Sequence, residues 1–231
     1  MHKIVDNVLV LKRVDYGEAD RIISVLSQHG GKFSLLAKGV RKPKSKLAGG
    51  IEPFCINSVT YLQSPRELKT LVSASVHQLL DTITKDIDTL NTGYQILRTI
   101  NAFTEHECED DYYTITASGL QQLNNGTHRQ VVYVWFMTQL LKLSGHGINT
   151  DYAADGSKLV QTDTFVFDYE SMAFKPDPHG RFNANHVKVL RLAQALTMQS
   201  FALVQQTQQS AIEIASVLSD IASTITQKNL K

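Results

Sequence analysis

Five short runs of β-branched and apolar residues are crowded into the first 75 residues, each ended by glycine, proline or a polar turn. They are "IVDNVLVLK" (4–12), "RIISVLSQ" (21–28), "KFSLLAKG" (32–39), "FCINSVTYLQ" (54–63) and "LKTLVSAS" (68–75). His29-Gly30-Gly31 separates the second from the third and asks for positive φ angles. The last two are joined around Ser64-Pro65-Arg66. Five strands of this length with such turns suit a small closed β-barrel. Strand order and closure do not follow from the spacing alone.

After Val76 the texture becomes helical. In "IDTLNTGYQILRTINAFTEH" (87–106), Ile87, Leu90, Tyr94, Leu97, Ile100 and Phe103 recur at three- and four-residue steps. "EHECEDDYY" (105–113) reads as an acidic, solvated loop, and Asn125-Gly126-Thr127 as a turn. "HRQVVYVWFMTQLLKLSG" (128–145) is apolar on most faces, which predicts a buried central helix ended by Gly145 and Gly147. "DTFVFDYESMAFKPDPHG" (163–180) predicts two short strands across Tyr169-Glu170-Ser171. Asn183 or Asn185 is placed to cap a helix over "HVKVLRLAQALTMQSFALV", and a last amphipathic helix covers about 212–227. Strands first and helices later, without βαβ alternation, predict an α+β chain of two modules, 1–76 and 77–231, the second with a two-stranded insertion around 160–180.

Charge separates the same two parts. The net charge is +1, yet residues 1–70 carry a balance of +6 and residues 71–231 one of −5. A basic module commonly faces polyanions. Hydrophobic residues make up 42 % of the chain, enough for a core. The amino-terminal apolar run is broken by Asp6 and Lys12, unlike a signal peptide, and no stretch reaches the ~20 apolar residues of a membrane span. A cytoplasmic protein without membrane attachment is expected. Cys55 and Cys108 form no disulfide framework. Cys55 falls inside a predicted strand, and the acidic surroundings of Cys108 discourage a thiolate. No G-x-x-x-x-G-K-[ST] loop is present, so ATP-driven action is not expected; Ser-, Cys- or His-centred catalysis also lacks support, and no cofactor is expected.

The positive charge is concentrated in "AKGVRKPKSKLAGG", where Lys38, Arg41, Lys42, Lys44 and Lys46 fall within nine positions without an acid. Pro43 and the flanking glycines predict an irregular loop, and nine extended residues reach at most ~30 Å, enough to follow several phosphates. Five phosphate contacts on a single strand correspond to a log–log salt slope of roughly −3 to −4. Ser45 adds a neutral donor, and Arg21, Lys32 and Lys69 add charge to the same module. Phe33, Phe54 and Tyr61 are candidate stacking faces that fit a barrel core equally well.

Tyr16-Gly17-Glu18-Ala19-Asp20, Gly31-Lys32, Ala37-Lys38-Gly39-Val40-Arg41, Lys44-Ser45 and Glu52-Pro53-Phe54, in that order and spacing, resemble the amino-terminal part of the RecO family of bacterial recombination mediators. "LLKLSGHGINTD" and "FVFDYESMAF" resemble later family elements more weakly. The resemblance implies an oligonucleotide-binding (OB) barrel followed by a helical domain. It also implies binding of single- and double-stranded DNA, annealing of complementary strands, and partnership with RecR and the acidic tail of the single-strand-binding protein SSB to load RecA. Carried over position by position, the phosphate contacts fall on Lys38, Arg41, Lys42, Lys44 and Lys46, with Glu18 and Asp20 bracing that surface, and the candidate DNA-binding set also takes in Ser45, Arg21 and Lys32. The resemblance implies that the protein is not an enzyme.

Two departures stand out. Many members carry a four-cysteine zinc knuckle where this chain has "NTDYAADGSKLV" and "KPDPHGRFNANH", without cysteine. His179 and His186 with Asp151 or Asp155 are the remaining ligand types, but nothing pairs them at ligand spacing, so a metal-free turn is expected. Members also often flank the phenylalanine of the central helix with a base and an acid, whereas this chain has Val134-Trp135-Phe136-Met137. Arg98, Arg129 and Arg191 are alternatives for holding an acidic tail. The competing reading is an OB adaptor that binds no DNA and docks an acidic protein segment on its basic loop.

Overall fold

Alternation of inward apolar and outward polar side chains builds the first unit, most visibly in "GKFSLLA", where every second residue is buried. The computed structural model describes residues 2–63, 68–104, 108–159 and 164–228. Five strands, β1 (Lys3–Tyr16), β2 (Asp20–Ser27), β3 (Gly31–Ala37), β4 (Cys55–Leu62) and β5 (Leu68–Leu79), match the five expected runs and extend the first and last. They close into a barrel in the order β1-β2-β3-β5-β4, the β3–β5 pairing being parallel and the others antiparallel. This is the expected OB barrel. Val8, Val10, Ile23, Val25, Phe33, Leu35, Val59, Tyr61 and Leu71 fill it. The expected Ser64-Pro65-Arg66 turn and residues 105–107 of the acidic junction lie outside the described residues.

The chain folds as two compact units, Met1–Asn124 and Asn125–Lys231. The boundary expected after residue 76 follows the change from strand to helix, whereas packing keeps the next two helices with the barrel. These are α1 (Ile87–Phe103) and α2 (Asp110–Asn124). Phe54 stacks edge-on against Tyr94 of α1, with ring centroids 4.8 Å apart. Gln121 of α2 donates to Gln78 of β5 at 2.8 Å. Two sequence expectations change here. The buried face of α1 is Thr92, Gly93, Ile96, Leu97 and Ile100, while Ile87 and Tyr94 of the expected stripe are exposed. Asp110 and Asp111, expected in a solvated loop, open α2, where carboxylates favour the helix amino terminus.

In the second unit, α3 (Arg129–Leu143) is buried through Val131–Met137 and again at Leu140 and Leu141, as its all-round hydrophobicity requires. It packs against α4 (Ala184–Ala195), α5 (Met198–Ala202) and α6 (Thr207–Lys228). The single helix expected over 186–204 is two, because Trp135 Nε1 donates to the Leu196 carbonyl at 2.9 Å and Thr197 caps a new start. Strands β6 (Phe165–Asp168) and β7 (Ala173–Pro176) form the expected ribbon. Among the described residues no helix is long and apolar enough to cross a membrane.

Candidate nucleic-acid interface

The basic segment leaves β3 through Gly39, whose φ of +64° suits a residue without Cβ. It is not extended. Successive turns fold it back: Lys42 N donates to Gly39 O at 3.2 Å, Ser45 N to Lys42 O at 3.0 Å and Leu47 N to Ser45 Oγ at 3.3 Å. A short 3₁₀ turn, Ala48–Gly50, then delivers the chain towards β4. The extended conformation is lost because apolar residues within the segment are drawn inward. Val40 and Ile51 join the barrel core, and Leu47 packs partly against it. Gly50 lies so close to β5 that a Cβ there would stand 2.4 Å from the Ala74 carbonyl carbon.

Two hydrogen bonds fasten the start of the loop to the β1–β2 turn. Asp20 Oδ1 accepts from Gly39 N at 2.7 Å, and Ala19 O accepts from Arg41 N at 2.9 Å. Asp15 braces the same region through its side chain, receiving Arg21 Nε at 2.7 Å with Arg41 Nε at 3.5 Å. The Arg21 hydrogen bond, supported by the Arg41 charge, holds the Asp15 carboxyl below the usual carboxylate range. Arg13 similarly meets Glu52 at 2.6 Å, on the residue after Ile51. Asp20 thus braces the loop as expected for it, and Asp15 supplies a brace that the sequence pattern did not single out. Glu18 is exposed.

What remains outside is positive. Lys38, Lys42, Lys44 and Lys46 are exposed and, among the described residues, have no ion-pair partner. Ser45 is half-buried, and its hydroxyl keeps a proton to donate while accepting from Leu47.

Residues 1–80 match the family described as "Recombination protein O N terminal". The chain is 30 % identical over 134 residues to DNA repair protein RecO of Salinibacter ruber, covering 57 % of this chain and 51 % of that protein. It is 26 % identical over 200 residues to the protein of the same name from Dehalococcoides mccartyi, covering 84 % and 79 %. With that of Streptomyces avermitilis it shares 31 % over 150 residues, covering 61 % and 60 %. The chain is thus similar to RecO proteins, and its barrel matches their amino-terminal family model. Its match to the Salinibacter relative spans only about half of that protein's length.

Other residues of the expected site have partners within the protein. The ammonium of Lys32 donates to the carbonyls of Asn101 at 2.6 Å and Thr104 at 2.8 Å, closing the carboxyl end of α1. Phe33, Phe54 and Tyr61 are each no more than 4 % exposed: the barrel core claims Phe33 and Tyr61, and Phe54 is buried against α1. Lys69 sits 3.8 Å above the centre of the Phe33 ring, and burial pushes its ammonium pKa down.

Where the resemblance would put a zinc knuckle, Phe165, Phe174, Phe182 and His186 form an aromatic cluster, meeting edge to face. His186 is 3 % exposed; its Nδ1 accepts from Asn183 N at 3.0 Å in a capping box, and its Nε2 meets Glu213 at 2.8 Å. Asp155 accepts from Ser157, and Asp177 accepts from the His179 amide. Among the described residues no three His, Cys, Asp or Glu side chains are gathered as metal ligands. Of the three arginines considered for an acidic tail, Arg98 bonds its own helix at Tyr94 O, and Arg191 bonds Thr150 O at 2.9 Å. Arg129 opens α3 and is half-buried. Burial raises the thiol pKa of both Cys55 and Cys108.

Proposed function

We propose that this chain acts in DNA repair and recombination by gripping DNA through the phosphates on its barrel loop. The observation carrying this reading is the set of four exposed lysines, Lys38, Lys42, Lys44 and Lys46, on a loop fastened at both ends to the barrel. Arg41 contributes from beside them, and Ser45 adds a neutral donor. Arg21, hydrogen-bonded to Asp15 at 2.7 Å, and Lys32, committed to the end of α1, are secondary to the exposed loop cations in this set.

Phosphate contacts position nucleic acid without reading its sequence, so both single and double strands are accepted. Lowered phosphate repulsion lets two strands approach with their bases free, and complementary strands anneal. The helical part from residue 77 onward engages RecR and the acidic tail of SSB, and together they load RecA onto SSB-coated DNA. No step is covalent, so the protein works as a mediator and not as an enzyme. The names of the relatives and the family match support the DNA repair and recombination part of this reading.

The test replaces Arg41, Lys42, Lys44 and Lys46 together by glutamate and follows a fluorescent poly-dT oligonucleotide across salt. Five contacts give a log–log slope of about −3.5 for the unaltered chain, and the variant should lose most of both affinity and slope. Unchanged affinity and slope would remove the loop from the DNA site and favour the adaptor reading.

A further inference from the structure

Resting on the phosphate-loop reading above, we infer that Tyr16 with the apolar row beside it is a stacking platform for unpaired nucleobases. The aromatic residues first expected to stack are buried, whereas Tyr16 is 54 % exposed at the end of β1. A register shift between Val10 and Lys12 puts it outside. Before the shift Val8 and Val10 point into the core; after it Arg13 lies opposite the core residue Ile23, so Lys12, Val14 and Tyr16 take the outer face.

The cross-strand pairing then assembles this face. Val14 pairs with Ile22, and Ile22 with Leu36, a continuous apolar row in which Val14 is 48 % exposed and the other two are half-buried. In the next row Tyr16 pairs with Asp20. Arg21 pairs with Ala37, the last residue of β3, and Asp20 accepts from the Gly39 amide, so Lys38 leaves the strand next to the turn that follows Tyr16.

This arrangement has the two parts that single-strand binding uses, a cationic track for the backbone and an aromatic face beside it for bases. Exposed aromatic area alone fits many partners. Here the same β1–β2 turn that carries Tyr16 is hydrogen-bonded to the start of the cationic loop, and Lys12 and Lys38 flank the apolar row. Positive charge around a flat apolar strip complements a chain of phosphates bearing π-faces. A duplex keeps its bases stacked inside, so the platform selects single strands over double.

The test compares labelled poly-dT with an oligonucleotide of equal length made of abasic sites, which has the same phosphates and no bases. Both are titrated by fluorescence anisotropy into the full chain, into Tyr16→Ala and into Tyr16→Phe, with melting curves to verify folding. The unaltered chain should bind poly-dT roughly 5- to 150-fold more tightly than the abasic strand, the range expected for one stacked base. Tyr16→Ala should abolish that difference while leaving the salt slope unchanged, and Tyr16→Phe should retain it. Equal binding of both oligonucleotides by the unaltered chain, or a difference that survives Tyr16→Ala, would overturn the stacking platform and leave the phosphate loop standing. If neither oligonucleotide binds at low salt, the nucleic-acid reading falls and the platform with it, and this face belongs to a protein partner.

Discussion

Asp20 and Gly39 are joined by a 2.7 Å hydrogen bond from the glycine amide to a carboxylate oxygen, so an acid holds the root of the most basic segment in the chain. Charge alone predicts that deleting this acid would strengthen DNA binding. Positioning predicts the reverse. Asp20→Ala should cost about 1–3 kcal/mol of stability by urea denaturation, because it orphans an amide donor. It should also weaken oligonucleotide binding although the net charge rises. Tighter binding by this variant would show that the bond does not set the loop.

Gly50 is confined by β5. A methyl group there meets the Ala74 backbone at 2.4 Å, and backbone cannot swing aside as a side-chain tip can. Gly50→Ala should destabilise by about 1–3 kcal/mol, the usual range for overpacking. Gly49→Ala, with nothing within 4 Å of its Cβ position, serves as the matched control and should melt close to the parent.

Lys32 separates structural from DNA-contacting charge. Its ammonium serves two terminal carbonyls of α1. Lys32→Met should therefore lower stability by about 1.5–3 kcal/mol and speed amide exchange in the last turn of α1, with the salt slope of DNA binding unchanged. A reduced slope at unchanged stability would place Lys32 on the DNA instead.

Tyr113 gives a pH signature. Burial, reinforced by the Asp6 charge, pushes its phenol up to about 12. The unfolded chain releases this proton near pH 10, while the folded chain keeps it, so the native state binds more protons between the two values. Stability falls as pH rises from about 10 towards 12. Tyr113→Phe removes this contribution and should show a shallower alkaline loss when urea midpoints at pH 9 and 11 are compared.

The barrel strands are legible in the sequence because each alternates strongly and ends at a turn residue. α3 is legible because apolar residues surround it. The remainder depends on partners far along the chain. α2 is obscured by its own composition: "DDYYTITASGLQQLN" opens with acids and continues with threonines and small residues that are buried without looking hydrophobic. The break between α4 and α5 is stabilised by Trp135, whose indole reaches a carbonyl 61 positions away. Of the candidate site, the cations are plain from composition. Their turned backbone is not, because it depends on Val40 and Ile51 finding the barrel core. Nor is the outward aspect of Tyr16, which a single extra residue near Val10 reverses.

The insertion of Val40 and Ile51 into the barrel has a kinetic consequence. A floppy cationic segment would surrender backbone freedom at every encounter with a ligand, whereas here that freedom is already gone once the protein has folded. Only the lysine side chains remain to settle. Capture of a polyanion by such a preorganised grip should proceed without a slow rearrangement, at a rate governed by long-range attraction and therefore by ionic strength.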